Sequence, residues 1–345
     1  MKALRHAATY LLVALVTVLV AALSIRAVGS DITKAFGGFF RGAFGSVYGI
    51  SEVLVRATPL MLAGLGVSIG FSSGFFNIGA EGQIYMGAAA ATAVGLFLPG
   101  LPAFVLLPLA VLAGIAAGGL WSAVPGFLKA RFGLSEAINT IMFNYIAINI
   151  VGILVRGALK DPDYPLPMSP ELGESMALPT LLEGTRLHAG ILVGLAAAVL
   201  VFLLMRKTAV GYTMRVVGQN PRAARVAGIS VYANVIIASF LSGSLAGVAG
   251  AVEVAGIHHR LLEGISPGFG YLAIIVSLLG KNKPGGIVAA SIGIAVLQVG
   301  SMTMQRQAGV PTSISWIIMG VLVLLILART TLFRFMLRDA EGAGA

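Results

Sequence analysis

Most of the side chains able to do chemistry at membrane depth lie in one short stretch. Gly74-Phe75-Phe76-Asn77-Ile78-Gly79-Ala80-Glu81-Gly82-Gln83 places a carboxylate and two amides inside an apolar run from about Leu60 to Leu98. An ionisable group at such a position costs roughly 2.5 kcal/mol or more in a bilayer. The glycines of the stretch weaken a helix at the same point. Together they predict a water-filled cavity or a broken helix here. Glu81 then has two readings: it faces a polar path, or it accepts hydrogen bonds from amides that a break exposes. A second group, His258 and His259 with Glu253 and Glu263 nearby, has the residue types of a metal site. Adjacent histidines point to different helix faces, so no metal is expected there. The chain has no cysteine, which excludes disulfides, thiolate metal sites and cysteine nucleophiles. It carries no Gly-x-x-x-x-Gly-Lys-Ser/Thr phosphate loop, since Gly280-Lys281-Asn282 lacks both the upstream glycine and the hydroxyl. No convincing set of paired acids, Ser/His or metal ligands supports an intramembrane enzyme.

The elements that must position these residues are membrane helices. Of 345 residues 58% are hydrophobic and 10% charged, against about 25% charged in a soluble domain. A single core cannot absorb that apolar surface, so the bilayer must be the solvent. The 45 glycines suit close packing of membrane helices through small side chains. The expected fold class is an all-α polytopic membrane protein, taken as a single membrane-spanning domain over residues 1–345. About ten transmembrane helices are expected, at roughly 8–28, 52–73, 83–98, 102–128, 135–156, 189–205, 231–256, 268–280, 284–303 and 312–328. The start resembles a secretory signal but reads as a first membrane helix, because many spans follow. Two spans, 83–98 and 268–280, are short or broken, and interrupted spans point to a transport site. Thr58 to Gly95 and Ser242 to Ile294 share one order, an apolar run, a glycine-rich polar break and another apolar run. That echo suggests a two-half pseudo-repeat.

An even span count puts both termini on one side. The net charge of +10 is then distributed as the positive-inside bias requires. Lys129, Arg131, Arg206, Lys207, Arg215, Lys281, Lys283, Arg329, Arg334 and Arg338 fall on the cytoplasmic side, whereas the external loop at about 157–188 is acidic and proline-rich. A nucleic-acid partner is not expected, because such a patch would cluster charge in a soluble segment. Phe36 to Phe44, with Arg41, can lie in the lipid interface as an amphipathic helix. The external loop is either a docking surface or a lid.

The cytoplasmic segment at about 206–230 contains a helix start signal. Asn220 can cap, Pro221 suits the first helical position and Gly228 suits the stop. The short predicted helix, Pro221 to Ala227, carries Arg222 and Arg225 as basic rims and Ala223, Ala224 and Ala227 as a small-residue face. Such a surface fits a groove on another protein, or it is an ordinary basic connection.

Two motifs combine here. The stretch from Gly74 to Gln83 and the segment Gly218-Gln219-Asn220-Pro221-Arg222-Ala223-Ala224-Arg225-Val226-Ala227-Gly228-Ile229 resemble permease subunits of bacterial ABC importers. The family is the one serving monosaccharides, branched-chain amino acids and nucleosides, and the Asn-Ile-Gly-Ala-Glu-Gly-Gln wording is similar to its nucleoside-type branch. Ala137 to Ala147 and Leu278 to Pro284 are also similar to that branch. The resemblance spans about residues 50–330. It implies an inner-membrane subunit of an ATP-driven nucleoside importer, with both termini cytoplasmic. The implied partners are a second, related permease, a cytoplasmic ATPase that can be tandem-fused, and an extracytoplasmic binding lipoprotein. ATP would be bound by the partner, and this chain would hold no cofactor. Gly218, Asn220, Pro221, Arg222, Ala223, Ala224, Arg225 and Gly228 would then form the ATPase-coupling element. A simple sugar or another small metabolite is the alternative cargo, and an ion-coupled secondary transporter the more distant alternative. A nucleoside carries no net charge, so amides and hydroxyls suit it. On that basis Asn77, Gln83, Asn139, Thr140 and Asn144, with Glu81, are the expected substrate-path residues. Phe75, Phe76 and Tyr85 are candidates for stacking on a base, with lipid or core packing as the other reading.

Overall fold

The computed structural model describes residues 2–311, 313–314, 316–321, 323–325 and 328, and no side chains for 2–11 and 14. Arg329, Arg334, Arg338 and part of the expected span at 312–328 lie outside the described residues. The described residues are helical, and their only β pairing consists of the isolated bridges Met168–Leu262 and Thr180–His188. In chain order the helices are α1 (Lys2–Ala27), α2 (Ile32–Phe44), α3 (Val47–Ser72), α4 (Ala80–Phe97), α5 (Ala103–Phe132) and α6 (Glu136–Arg156). Then follow α7 (Gly190–Lys207), α8 (Ala209–Gln219), α9 (Pro221–Val226), α10 (Val231–Glu253), α11 (Phe269–Leu279) and α12 (Pro284–Ala308).

Among the described residues six helical segments are long and apolar enough to cross a membrane: α3, α5, α6, α7, α12, and α10 with the π-turn Val254–His258 that continues it. Leu15–Ala27, Phe269–Leu279 and Trp316–Leu325 are shorter apolar helices. Helix α4 is not among the six; it carries Glu81 and Gln83 in its first turn. It starts at Ala80, earlier than the expected 83, because the polar residues enter the helix instead of preceding it. The amphipathic stretch around Phe36 forms α2, started by Asp31, whose carboxylate accepts the Lys34 N–H at 2.9 Å. The segment at about 206–230 differs from the expectation of a single short helix. Helix α8 also forms there, capped by Thr208 Oγ1 on the Gly211 N–H at 3.1 Å.

The chain divides into two compact units, residues 1–53 with 293–345 and residues 54–292. In the first, Ile25, Ala35, Met304, Val310 and Ile314 form an apolar cluster with Phe36 and Phe39. An apolar cavity of about 230 Å³ lies among Thr17, Ile25, Phe39 and Ser301.

The second unit centres on α4, α5 and α10, which meet through glycine. A Cβ on Gly247 would collide with the Gly114 carbonyl, and one on Gly87 would collide with the Gly247 backbone. Backbones that approach this closely exclude water and lipid alike, which is how small residues hold membrane helices together. Tyr85, Ala88, Leu106, Ala147, Val151 and Ala251 fill one cluster of this core.

The loop between α6 and α7 is stitched to the segment after α10. Ser169 N donates to Leu261 O, Leu172 N to His259 O and Leu178 N to Ala255 O, each at 2.8 Å. Arg260 pairs with Glu171 at 2.8 Å. His188 closes the loop: it is buried, its Nδ1 accepts the Gly190 N–H at 3.1 Å and its ring lies against Gly256. Burial, helped by the neighbouring His259, lowers its pKa from 6.5 to about 4. The unfolded chain therefore takes up a proton that the folded chain refuses, so this contribution is complete above about pH 6.5 and is lost as pH falls towards 4. In detergent, thermal unfolding of the protein should show a stability decline between those pH values that is shallower in His188→Gln.

Candidate functional site

The polar stretch is a break between α3 and α4, and its side chains bond to one another. Beyond Ser72 the chain turns at Gly74, whose φ is +76°, and Phe75 N returns to Gly70 O at 2.9 Å. Asn77 and Gln83 face each other as an amide pair, with Nδ2 donating to Gln83 Oε1 at 2.9 Å and Oδ1 accepting from Gln83 Nε2 at 3.0 Å. The Asn77 amide also donates to Ser242 Oγ of α10 at 2.8 Å and accepts the Gly79 N–H at 2.9 Å. That uses two donors and two acceptor positions, the full capacity of an amide.

Helix α6 supplies the next layer. Asn144 Oδ1 accepts the Gly82 N–H at 2.8 Å and its Nδ2 donates to Ile78 O at 2.9 Å. Thr140 Oγ1 accepts the Ile78 N–H at 3.2 Å and donates to Glu136 O at 2.7 Å. The four-residue spacing of these two puts both on the face turned to α4, as expected. Asn77, Gln83, Thr140 and Asn144 are all buried. Asn139 is not brought into this network, and its buried Nδ2 has no hydrogen-bond partner. Phe75 is fully buried with the Lys129 ammonium 5.9 Å from its ring centroid. Phe76 is half exposed and stacks on Phe71 at 4.3 Å between centroids. Lys129, at the end of α5, bonds the Gly74 carbonyl and pairs with Glu136, each at 2.5 Å.

Glu81 reaches a second break. After α10 the chain passes through the π-turn and residues 259–268 before α11 begins. The Glu81 carboxylate accepts the Gly268 N–H at 3.1 Å and the Gly270 N–H at 2.7 Å. It is thus the side-chain cap of α11, an acceptor group at the positive end of the helix dipole. Gly270 lets the helix starts touch, since a Cβ there would overlap the backbone of Ala80 and Glu81. Around this point stand Tyr85, whose hydroxyl is 3.4 Å from Ser266 O, and Tyr271, beside Asn144 and Tyr145. Sequence reasoning missed Ser242, Lys129, Tyr145 and Tyr271, because their roles come from partners far along the chain.

Of the histidine and acid group, Glu253 is 3.7 Å from His258, whereas Glu263 pairs with Arg156 at 2.8 Å. Among the described residues no three such side chains gather as a metal set would.

The short helix α9 has the expected local geometry. Asn220 Oδ1 accepts the N–H groups of Arg222 at 3.0 Å and Ala223 at 3.1 Å, and Pro221 opens the helix. The helix stops where Gly228 takes a φ of +76° and Ile229 N bonds Ala224 O at 2.9 Å. Ala224 is buried, while Arg222, Ala223, Arg225 and Ala227 are exposed. Val226 is 91% exposed. Just before the cap, Gly218 lies on the first break: a Cβ there would collide with the Ser72 carbonyl. A cleft of about 590 Å³, lined by Lys129, Pro221, Arg225, Ile229 and Tyr232, lies beside α9.

Comparison with known proteins defines the class. The family described as the branched-chain amino acid transport system, permease component, matches residues 49–327. The chain belongs to this family of membrane permeases. The guanosine ABC transporter permease protein NupP of Bacillus subtilis is 35% identical, covering 100% of this chain and 99% of NupP. The glucose ABC transporter permease protein TsgB13 of Haloferax volcanii is 35% identical over 92% of this chain and 86% of its own. The nucleoside ABC transporter permease protein NupB of Lactococcus lactis is 29% identical over 89% of this chain and 87% of its own.

Replacing Glu81 tests the junction of the two breaks. Glu81→Leu leaves the Gly268 and Gly270 N–H groups without an acceptor, at about 1–3 kcal/mol each. Its thermal unfolding in detergent should come well below that of the parent. Glu81→Gln keeps one acceptor oxygen and should fall between them.

Proposed function

We propose that this chain is the transmembrane subunit of an ATP-driven importer for nucleosides in the bacterial inner membrane, with both termini cytoplasmic. The similarity to NupP over the whole chain carries the cargo reading, and NupB supports it. The glucose permease TsgB13 supports a sugar as the second reading. The other subunits would be a second permease, related but distinct, an extracytoplasmic binding lipoprotein, and a cytoplasmic ATPase, tandem-fused or not, that binds the ATP.

Coupling would run through α9. Its exposed Val226, its basic rims Arg222 and Arg225 and its strong Asn220 cap suit a short rigid helix seated in a groove of the ATPase. Gly218 gives that helix a route into the membrane domain, because its backbone bears on Ser72 at the edge of the break. Movement of α9 would then shift the Gly74 turn and the Asn77 amide pair together. The Asn77, Gln83, Thr140 and Asn144 side chains spend their bonds on the protein itself. In this mechanism they hold the wall of the path rigid.

Two measurements check this. Cells with and without this subunit take up radiolabelled guanosine, with glucose, ribose and leucine as controls. Loss of guanosine uptake alone is the expected result. Loss of glucose uptake instead would replace the cargo and keep the permease. In the assembled transporter Gly218→Val should leave ATP hydrolysis within about twofold of the parent and reduce uptake at least about tenfold, a difference of roughly 1.4 kcal/mol in coupling. Proportional loss of both activities would point instead to failed assembly.

A further inference from the structure

We propose that a polar stripe on the outward side of α6, formed by Tyr145, Asn149 and Arg156, together with Tyr271, is the surface that contacts the cargo. This rests on the permease reading, and the nature of the cargo rests on the nucleoside reading.

The stripe follows from helical spacing and exposure. Positions 145, 149 and 156 share one face of α6, and Gly152 between them is buried beneath Arg156 and Glu263. The opposite face, with Thr140, Asn144, Ala147 and Val151, is buried. Tyr145 is 61% exposed, Tyr271 39%, and Asn149 is exposed with its Nδ2 bonded to Tyr145 O at 2.8 Å. Arg156 and Glu263 end the stripe as an exposed pair. Tyr145 lies about 14 Å from the start of α6 at 1.5 Å per residue, near the middle of a span of about 31 Å. A phenol and a carboxamide at that depth are costly against hydrocarbon. Helix α7 shows what a lipid face of this chain is like: before its basic end its exposed residues, among them Leu192, Leu195, Val199, Leu200 and Phe202, are all apolar. The α6 stripe differs in kind and faces a watery path.

The same face changes character towards the other end of the helix. Ile138, Ile141 and Met142 are exposed there and apolar. The stripe therefore reads as a polar line, flanked by exposed Ile146 and Ile153, over the outer half and an apolar closure over the inner half. Its chemistry selects an uncharged aromatic cargo. Tyrosine faces stack on a heterocycle, and the Asn149 amide offers a donor and an acceptor to ring edges or hydroxyls. The Glu81 carboxylate already occupies the positive start of α11 beside Tyr271, so a phosphorylated cargo finds that site filled.

The absence of native cysteine makes the test direct. Tyr145→Cys, Asn149→Cys and, as the lipid-face reference, Val199→Cys are made one at a time in the complete transporter in cells. Each is treated with a membrane-impermeant thiol reagent with and without guanosine or glucose. The first two should react at least about tenfold faster than the third, and guanosine should slow them. Equal rates at all three sites would overturn the proposal. Fast reaction slowed by glucose and not by guanosine would keep the path and remove the nucleoside reading. Tyr145→Ala should raise the KM for guanosine uptake several-fold while Tyr145→Phe does not, which a purely structural role of the ring would not produce.

Discussion

In a bilayer no water satisfies the backbone groups that a broken helix releases, so the protein must supply every partner itself. This chain breaks its helices twice in the second unit, after α3 and after α10, and each break is completed by residues of other elements. The first takes Ser242 from α10 and Thr140 and Asn144 from α6. The second takes Glu81 from the first turn of α4. The carboxylate looks extravagant in the sequence, yet two N–H groups and a helix dipole offset part of the cost of its burial. The breaks are thus mutually dependent, and α4, α6, α10 and α11 cannot shift independently of them.

Glycine makes that dependence possible. At Gly247 and Gly270 it brings helix backbones to contact, so hydrogen bonds to backbone N–H groups span short, fixed distances. At Gly218 it lets the end of α8 rest on the edge of the first break. The result is a continuous chain of stiff contacts from α9 through Ser72 and Gly74 to the Asn77 amide pair. Lys129 braces the same turn from α5 through the Gly74 carbonyl and Glu136. The proposed conversion of a push at one end into a rearrangement at membrane depth would need contacts of this kind, because packed interfaces move between discrete arrangements instead of deforming smoothly.

What could be read early was what is local. Asn220, Pro221 and Gly228 spell a capped helix within nine residues, and the structure has that helix at the expected place. The glycines and polar residues from Gly74 to Gln83 mark a break because propensity and membrane cost act on the stretch itself. Helix α8 was missed because its residues, with glycine and β-branched side chains, carry a weak helical signal that tertiary contacts override. The assignment of amides to cargo was drawn from residue type alone. Asn77 meets Ser242 across 165 positions and Glu81 meets Gly270 across 189, and no periodicity announces such pairs.

By itself the sequence determined the solvent, the helical class, the site of the first break and the short capped helix α9, since each depends on composition or on neighbours within a turn or two. Only the tertiary structure decided which polar groups are spent on the protein and which remain exposed. That division turns Asn77 and Asn144 inward and leaves Tyr145 and Asn149 outward on the same stretch of membrane. The physical reason is that satisfaction of a hydrogen bond at membrane depth is a property of the partner's position, and the partners come from helices far apart in the chain.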